Sequence, residues 1–151
     1  MKKIIVPIDF SEYSEYALRT AAKLAKKNNA EILALHMLEM SETLLTKTDS
    51  QQQQKAVFFL KLVEQRFTTF LDKPYLKGIT VIPIIKHFKV FSEVNDVARE
   101  NDADLIVIGS HGSSGFKEYF VGSNTERVVR NADIPVLVVK HDVATIDFGT
   151  V

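Results

Sequence analysis

Two features of the sequence could do chemistry together. One is a carboxylate at Asp9; the other is the stretch from Gly109 to Asn124, Gly-Ser-His-Gly-Ser-Ser-Gly-Phe-Lys-Glu-Tyr-Phe-Val-Gly-Ser-Asn. Glycines let backbone N–H groups approach an anion closely, and a helix starting behind such a loop adds unpaired donors and a partial positive charge. Ser123-Asn-Thr-Glu126 has the capping-box pattern, with Ser123 expected to cap the third helical N–H and Glu126 to reach back. The stretch reads as a phosphate cradle, or else as a plain surface loop ahead of a well-capped helix. Asp9 could hold a magnesium ion or a ribose hydroxyl, and it could equally close an Asx turn where a helix begins.

Alternating elements must position these groups. Lys3 to Asp9 is an apolar run that predicts a strand, with Pro7 loosening the pairing just before the carboxylate. Ser11 is the expected N-cap of a helix with Glu12 and Glu15 at its positive end, and Ala17, Ala21, Leu24 and Ala25 repeat at helical spacing. Ala30–Met37 predicts a second strand. Residues 39–54 carry little apolar pattern and lead into an amphipathic helix marked by Ala56, Phe59, Val63, Phe67 and Phe70, whose other side also bears Phe58 and Leu62. Turn residues from Lys73 to Gly78 precede a third strand, Ile79–Ile85, which Pro83 assigns to a sheet edge or a bulge. Val90, Val94, Val97 and Ala98 mark another helix. Ala103–Ile108 predicts a buried parallel strand, Val128, Val129 and Ala132 the inward face of the helix behind the glycine loop, and Asp133–Lys140 the fifth strand.

The order β-α-β-α-β-α-β-α-β predicts one parallel sheet with helices on both faces, because crossovers are right-handed. Ligands of such sheets sit beyond the carboxyl ends of the strands, where the connections reverse direction. In the strand order 3-2-1-4-5 the first and fourth strands are neighbours, so Asp9 and the glycine loop would meet there.

Composition narrows the class. The 151 residues suit one domain, expected over residues 1–141, and the 46% hydrophobic and 25% charged content is that of a globular protein. The formal net charge of zero gives no footprint for nucleic acid or an anionic membrane. No cysteine means no disulfide and no thiolate chemistry, and with no apolar run of membrane-spanning length a cytoplasmic setting is expected. Residues 142–151 have no place in the sheet and are expected to link to a second domain or to contact a partner.

Known phosphate signatures are missing. No Gly-x-x-x-x-Gly-Lys-Ser/Thr occurs, and the first strand–helix turn, Asp9-Phe10-Ser11-Glu12, has no glycine for a dinucleotide fingerprint. The third strand ends Ile84-Ile85-Lys86-His87, without the acceptor aspartate of a phosphorylated receiver domain. His36 and His111 lack metal-ligand spacing to other donors. His36 reads as a satisfied structural histidine; His111, inside the loop, either packs or touches ligand and phosphate.

The pattern Gly109-x2-Gly112-x9-Gly122-Ser123-Asn124, with Val6-Pro7-Ile8-Asp9-Phe10-Ser11, Leu35-His36-Met37 and Ala103–Gly112, resembles the universal stress protein family over roughly residues 2–140. The spaced glycine motif is that of the family's ATP-binding branch. The resemblance implies a Rossmann-like, adenine nucleotide alpha hydrolase-like sheet in the order 3-2-1-4-5. It also implies ATP or another adenine nucleotide, with Mg2+, as ligand. Pro7, Asp9 and Met37 would line the adenine and ribose end, Ile108 and Gly109 would lie beside the ribose, and Gly112, Gly122, Ser123 and Asn124 would surround the phosphates. His87-Phe88-Lys89-Val90 stands where many relatives carry a Gly-containing turn.

The function this implies is that of a nucleotide-dependent regulatory protein of the stress response. It would act as a homodimer paired through the apolar edge strand at residues 134–140. Two alternatives are a weak ATPase or adenylyl- or phosphoryl-transfer enzyme, and a nucleotide-free interaction module.

Overall fold

The computed structural model describes residues 1–38, 50–87, 93–111 and 121–142. Its elements are β1 (Lys3–Pro7), α1 (Glu12–Asn28), β2 (Glu31–Leu38), α2 (Ser50–Leu71), β3 (Val81–His87), α3 (Val94–Glu100), β4 (Leu105–Gly109), α4 (Ser123–Asn131) and β5 (Val136–Val139). All strand pairs are parallel, in the order β3-β2-β1-β4-β5. The predicted topology is the observed one.

Strand alternation splits the core into two layers. Ile4, Val6, Ile32, Ala34 and Val107 pack with Ala17, Leu18, Ala21 and Ala25 of α1 and Phe67 of α2. Ile5, Leu33, Leu35, Ile106 and Ile108 pack with Val94, Val97 and Ala98 of α3 and Val128 of α4. Both faces of the sheet are therefore covered, which is why the strands read as unbroken apolar runs instead of alternating ones.

Local signals fix the helix ends. The Ser11 side chain accepts from the Ser14 N–H, Glu12 and Glu15 sit in the first turn of α1, and Lys26 and Lys27 sit in the last. Asn29 then adopts the left-handed region at φ 51° and donates its N–H to the Ala25 carbonyl. Pro83 lies on the edge strand β3, as its missing donor requires. Pro74–Leu76 forms one 3₁₀ turn, and Gly78 follows at φ 86°, a conformation that favours glycine.

Three expectations about helix faces are corrected. On α2 the buried stripe runs Ala56, Val63 and Phe67, with Leu60 partly buried, whereas Phe59 is 46% exposed. Phe59 is one residue, about 100° of rotation, away from Leu60, and it turns outward with Val57, Phe58 and Leu62. On α4, Thr125 and Val128 are buried and Val129 is 46% exposed, for the same reason. The capping box is not formed: the N-cap is Gly122, which makes no side-chain cap bond, and the Glu126 carboxylate pairs with Arg130 one turn on. The chain enters α4 one residue earlier than the serine pattern suggests, so Ser123 is already helical.

Beyond β5, Asp142 pairs with Arg19 of α1 at 3.2 Å. Residues 143–151, Gly112, Lys117 and Val90 lie outside the described residues. Among the described residues no helix is long and apolar enough to cross a membrane.

Candidate nucleotide site

β1 and β4 are neighbours, but their pairing stops early. The ladder joins only Ile4 to Leu105 and Ile5 to Ile106. On its other side β1 stays paired through Pro7–Leu35, and β4 stays paired with β5 through Gly109–Val139. Pro7 is the reason. Successive amides of a central parallel strand point to alternate neighbours, and the Ile8 N–H donates to the Leu35 carbonyl on β2 at 2.7 Å. The nitrogen of residue 7 therefore faces β4, where a proline has nothing to donate. Pairing of the two strands therefore ends before their last residues, at the point where the sheet's connections reverse.

Five of the predicted site residues stand at or just beyond these strand ends. Pro7 ends β1, Met37 lies one residue from the end of β2, and Ile108 and Gly109 end β4. Met37 (6% exposed) and Ile108 (3%) belong to the layer under α3 and α4, and alternation from Ile5 puts Pro7 on that face too. Asp9 follows directly after Ile8, and its carboxylate accepts the Ser11 N–H at 3.0 Å and the Ser11 hydroxyl, so the Asx turn is formed. Phe10 then takes the left-handed region at φ 66°. For a residue with a Cβ that conformation costs roughly 1–2 kcal/mol, and aromatic packing offsets it. The Phe10 ring lies 4.5 Å from the His36 imidazole, 5.6 Å from Phe70 and 6.0 Å from Phe67, with the Arg66 guanidinium 4.5 Å over its face.

His36 has the structural role expected of it. Its Nδ1 is 2.7 Å from the Ile8 carbonyl. Burial holds its pKa below the ordinary 6.5 and the Arg66 charge adds to the effect, while the Ile8 hydrogen bond and Asp9 oppose them.

The glycine loop is closed at its base. The Ser110 N–H donates to Val139, and the Gly122 N–H donates to the Ser110 carbonyl at 2.7 Å, so residues 111–121 leave and return at one point. The Gly122 amide is thus occupied. The first-turn amides of α4, at the exposed Ser123 and Asn124 and at Thr125, have no intrahelical acceptor, and the N-cap Gly122 has no side chain to offer them one. Gly109 also has a packing reason to be glycine: a Cβ there would stand 2.7 Å from the Tyr13 carbonyl oxygen of α1. His111 is 4% exposed, hydrogen-bonded through Nδ1 to the Ser110 hydroxyl at 2.8 Å, and packed 5.0 Å from the Tyr13 ring. It turns toward α1, where Glu12, Tyr13, Tyr16, Ser110, Lys140 and His141 line a small polar cleft of about 250 Å³ with it.

Thr125 stands beside the candidate site and was missed by sequence reasoning. Buried to 3% exposure, it donates its hydroxyl to the Gly109 carbonyl at 2.7 Å and ties the start of α4 to the end of β4. Its only sequence signal is its place three residues before Val128, on the inward stripe of the helix. Among the described residues no cluster of three or more His, Asp or Glu could by itself hold a metal ion.

Residues 1–140 match the universal stress protein family. The chain belongs to this family. It is 30% identical to universal stress protein MJ0531 of Methanocaldococcus jannaschii, with 92% of this chain and 82% of that protein covered. It is also 30% identical to MJ0577 of the same organism, over 93% and 95%. The solved structure of MJ0577 superposes with a TM-score of 0.75 at 27% identity, covering 91% of this chain and 94% of that one.

Proposed function

We propose that this universal stress protein binds ATP, or a closely related adenine nucleotide, and that occupancy of the site governs its interactions in a stress response. The early end of the β1–β4 ladder supports the reading: with pairing ended at the switch point, a crevice would open there between apolar strand ends and the start of α4, whose N-cap is a glycine. Adenine would rest against Pro7, Met37 and Ile108, the ribose would lie beside Asp9 and Gly109, and the phosphates would be met by Gly112 and by the first turn of α4. Those amides and the helix dipole suit a polyanion and need no cationic side chain. Magnesium, when bound, would offset the negative charge of the phosphates. Asp9 is the carboxylate that would share it, which suits an ion that keeps several waters and takes few protein ligands.

Two solved universal stress proteins of this fold are described as complexes with cAMP and, from Archaeoglobus fulgidus, with dAMP. At 20% and 23% identity they support the fold, and the ligands are theirs. The transfer to this chain rests on its own glycine spacing and on the early end of its β1–β4 ladder. We further propose a homodimer paired through β5, an edge strand with an apolar sequence, in a cytoplasmic setting. Residues 142–151 would reach a second domain or a partner.

Calorimetry with ATP and Mg2+, together with mass spectrometry of small molecules released from the denatured protein, tests the reading. Saturable binding or a co-purified adenine nucleotide is expected. No binding at millimolar nucleotide would overturn it.

A further inference from the structure

Asp9 lies between two residues that the same side chain holds. The Ile8 N–H makes the last backbone bond from β1 to β2, and in a continued ladder the Ile8 carbonyl would accept from the Met37 amide. The His36 imidazole takes that carbonyl instead, with Nδ1 at 2.7 Å. On the other side of Asp9, the Phe10 ring packs 4.5 Å from the same imidazole. Residue 10 is in the left-handed region, which a phenylalanine keeps only when its surroundings over-determine it. Further constraints on that ring come from α2, through Arg66, Phe67 and Phe70.

We propose that His36 is a positioning residue for Asp9: by holding Ile8 through its Nδ1 and Phe10 through its ring, it fixes the Asx turn that presents the Asp9 carboxylate beyond the end of β1. Its use in nucleotide binding rests on the function proposed above; its grip on the turn does not. Acceptance by the Ile8 carbonyl requires the proton on Nδ1, so the neutral side chain must be the Nδ1–H tautomer. The groups of known charge that face the ring are Asp9, from the turn, and Arg66, from α2.

The test compares the wild-type chain with His36→Leu, which fills the space without a donor, and His36→Asn, whose amide nitrogen stands close to the place of Nδ1. Exchange of the Ser11 amide, bonded to the Asp9 carboxylate, reports the turn directly and needs no nucleotide. His36→Leu should exchange Ser11 about tenfold faster or more and weaken Mg-ATP binding by a similar factor, while His36→Asn should restore most of both. Unchanged Ser11 exchange in a folded His36→Leu protein would overturn the proposal. Nitrogen NMR of the wild-type imidazole decides even if His36→Leu does not fold: an Nε2–H tautomer at neutral pH would leave the Ile8 carbonyl without its donor and sink the idea. A wild-type protein that binds no nucleotide would remove the proposed function, and Ser11 exchange would still settle the role of His36.

Discussion

The Gly122 N–H and the Ser110 carbonyl are joined at 2.7 Å across the base of the glycine loop, so a residue that the motif assigns to phosphate is also the clasp of the loop. That double duty separates two kinds of substitution. Gly122 has φ −62° and ψ 152°, extended backbone open to any residue, and it is the N-cap of α4. An aspartate there keeps the N–H to Ser110 and supplies a side-chain cap that glycine cannot.

Gly122→Asp is therefore expected to leave folding intact, with the urea midpoint unchanged or raised by the equivalent of a few tenths of a kcal/mol. If the proposed site takes phosphates there, the same carboxylate would repel them and weaken nucleotide binding by about tenfold or more. Denaturation and calorimetry on one preparation check both halves. Unfolding of the variant would mean that the position serves the loop's structure alone.

Thr125→Val removes the hydroxyl that satisfies the Gly109 carbonyl and keeps the shape of the side chain. A buried carbonyl losing its partner costs about 1–3 kcal/mol. The expected result is a lower urea midpoint with an unchanged slope. Nucleotide affinity should also fall, because the start of α4 is then no longer tied to β4. A stability equal to wild type would show that another donor serves Gly109.

Much of this was legible in the sequence because the strands are buried on both faces. Runs such as Leu105–Ile108, continuous in apolar residues and bounded by Asp104 and Gly109, leave little choice of element, and a strict β-α alternation leaves little choice of topology. What was not legible depends on which parts of the chain meet. Gly109 announces that some group approaches closely, but not that the group is the Tyr13 carbonyl of α1. Phe10 carries no sign of its left-handed backbone, since the causes lie at His36, Phe67 and Phe70. The serine pattern at Ser123 misled because Gly122, held by Ser110, starts the helix one residue sooner. Thr125 is an ordinary helical threonine until β4 is placed beside it.

Asp9→Asn preserves an acceptor for the Ser11 N–H and removes only the charge. If Asp9 shares the magnesium ion of a bound nucleotide, the gain in affinity that Mg2+ confers should shrink by about tenfold, whereas binding in EDTA should stay within about threefold of wild type. Titrations with and without the metal make the comparison. Equal losses in both conditions would place Asp9 on the ribose and away from the metal.

His36 also predicts how stability responds to acid. Its pKa in the folded chain lies below 6.5, chiefly because the ring is buried, with Arg66 acting in the same direction against the Ile8 hydrogen bond and Asp9. The unfolded chain, with the ordinary value, therefore takes up a proton first as the pH falls. The stabilisation associated with the neutral ring is complete above 6.5, declines as the pH drops from there through the folded-state pKa, and loses nothing further below it. Urea midpoints measured from about pH 8 to about pH 5 should fall more steeply for the wild type than for His36→Asn, which has no proton to gain at this position. Parallel curves would mean that His36 titrates alike in both states, and its burial against Phe10 would then count for little in solution.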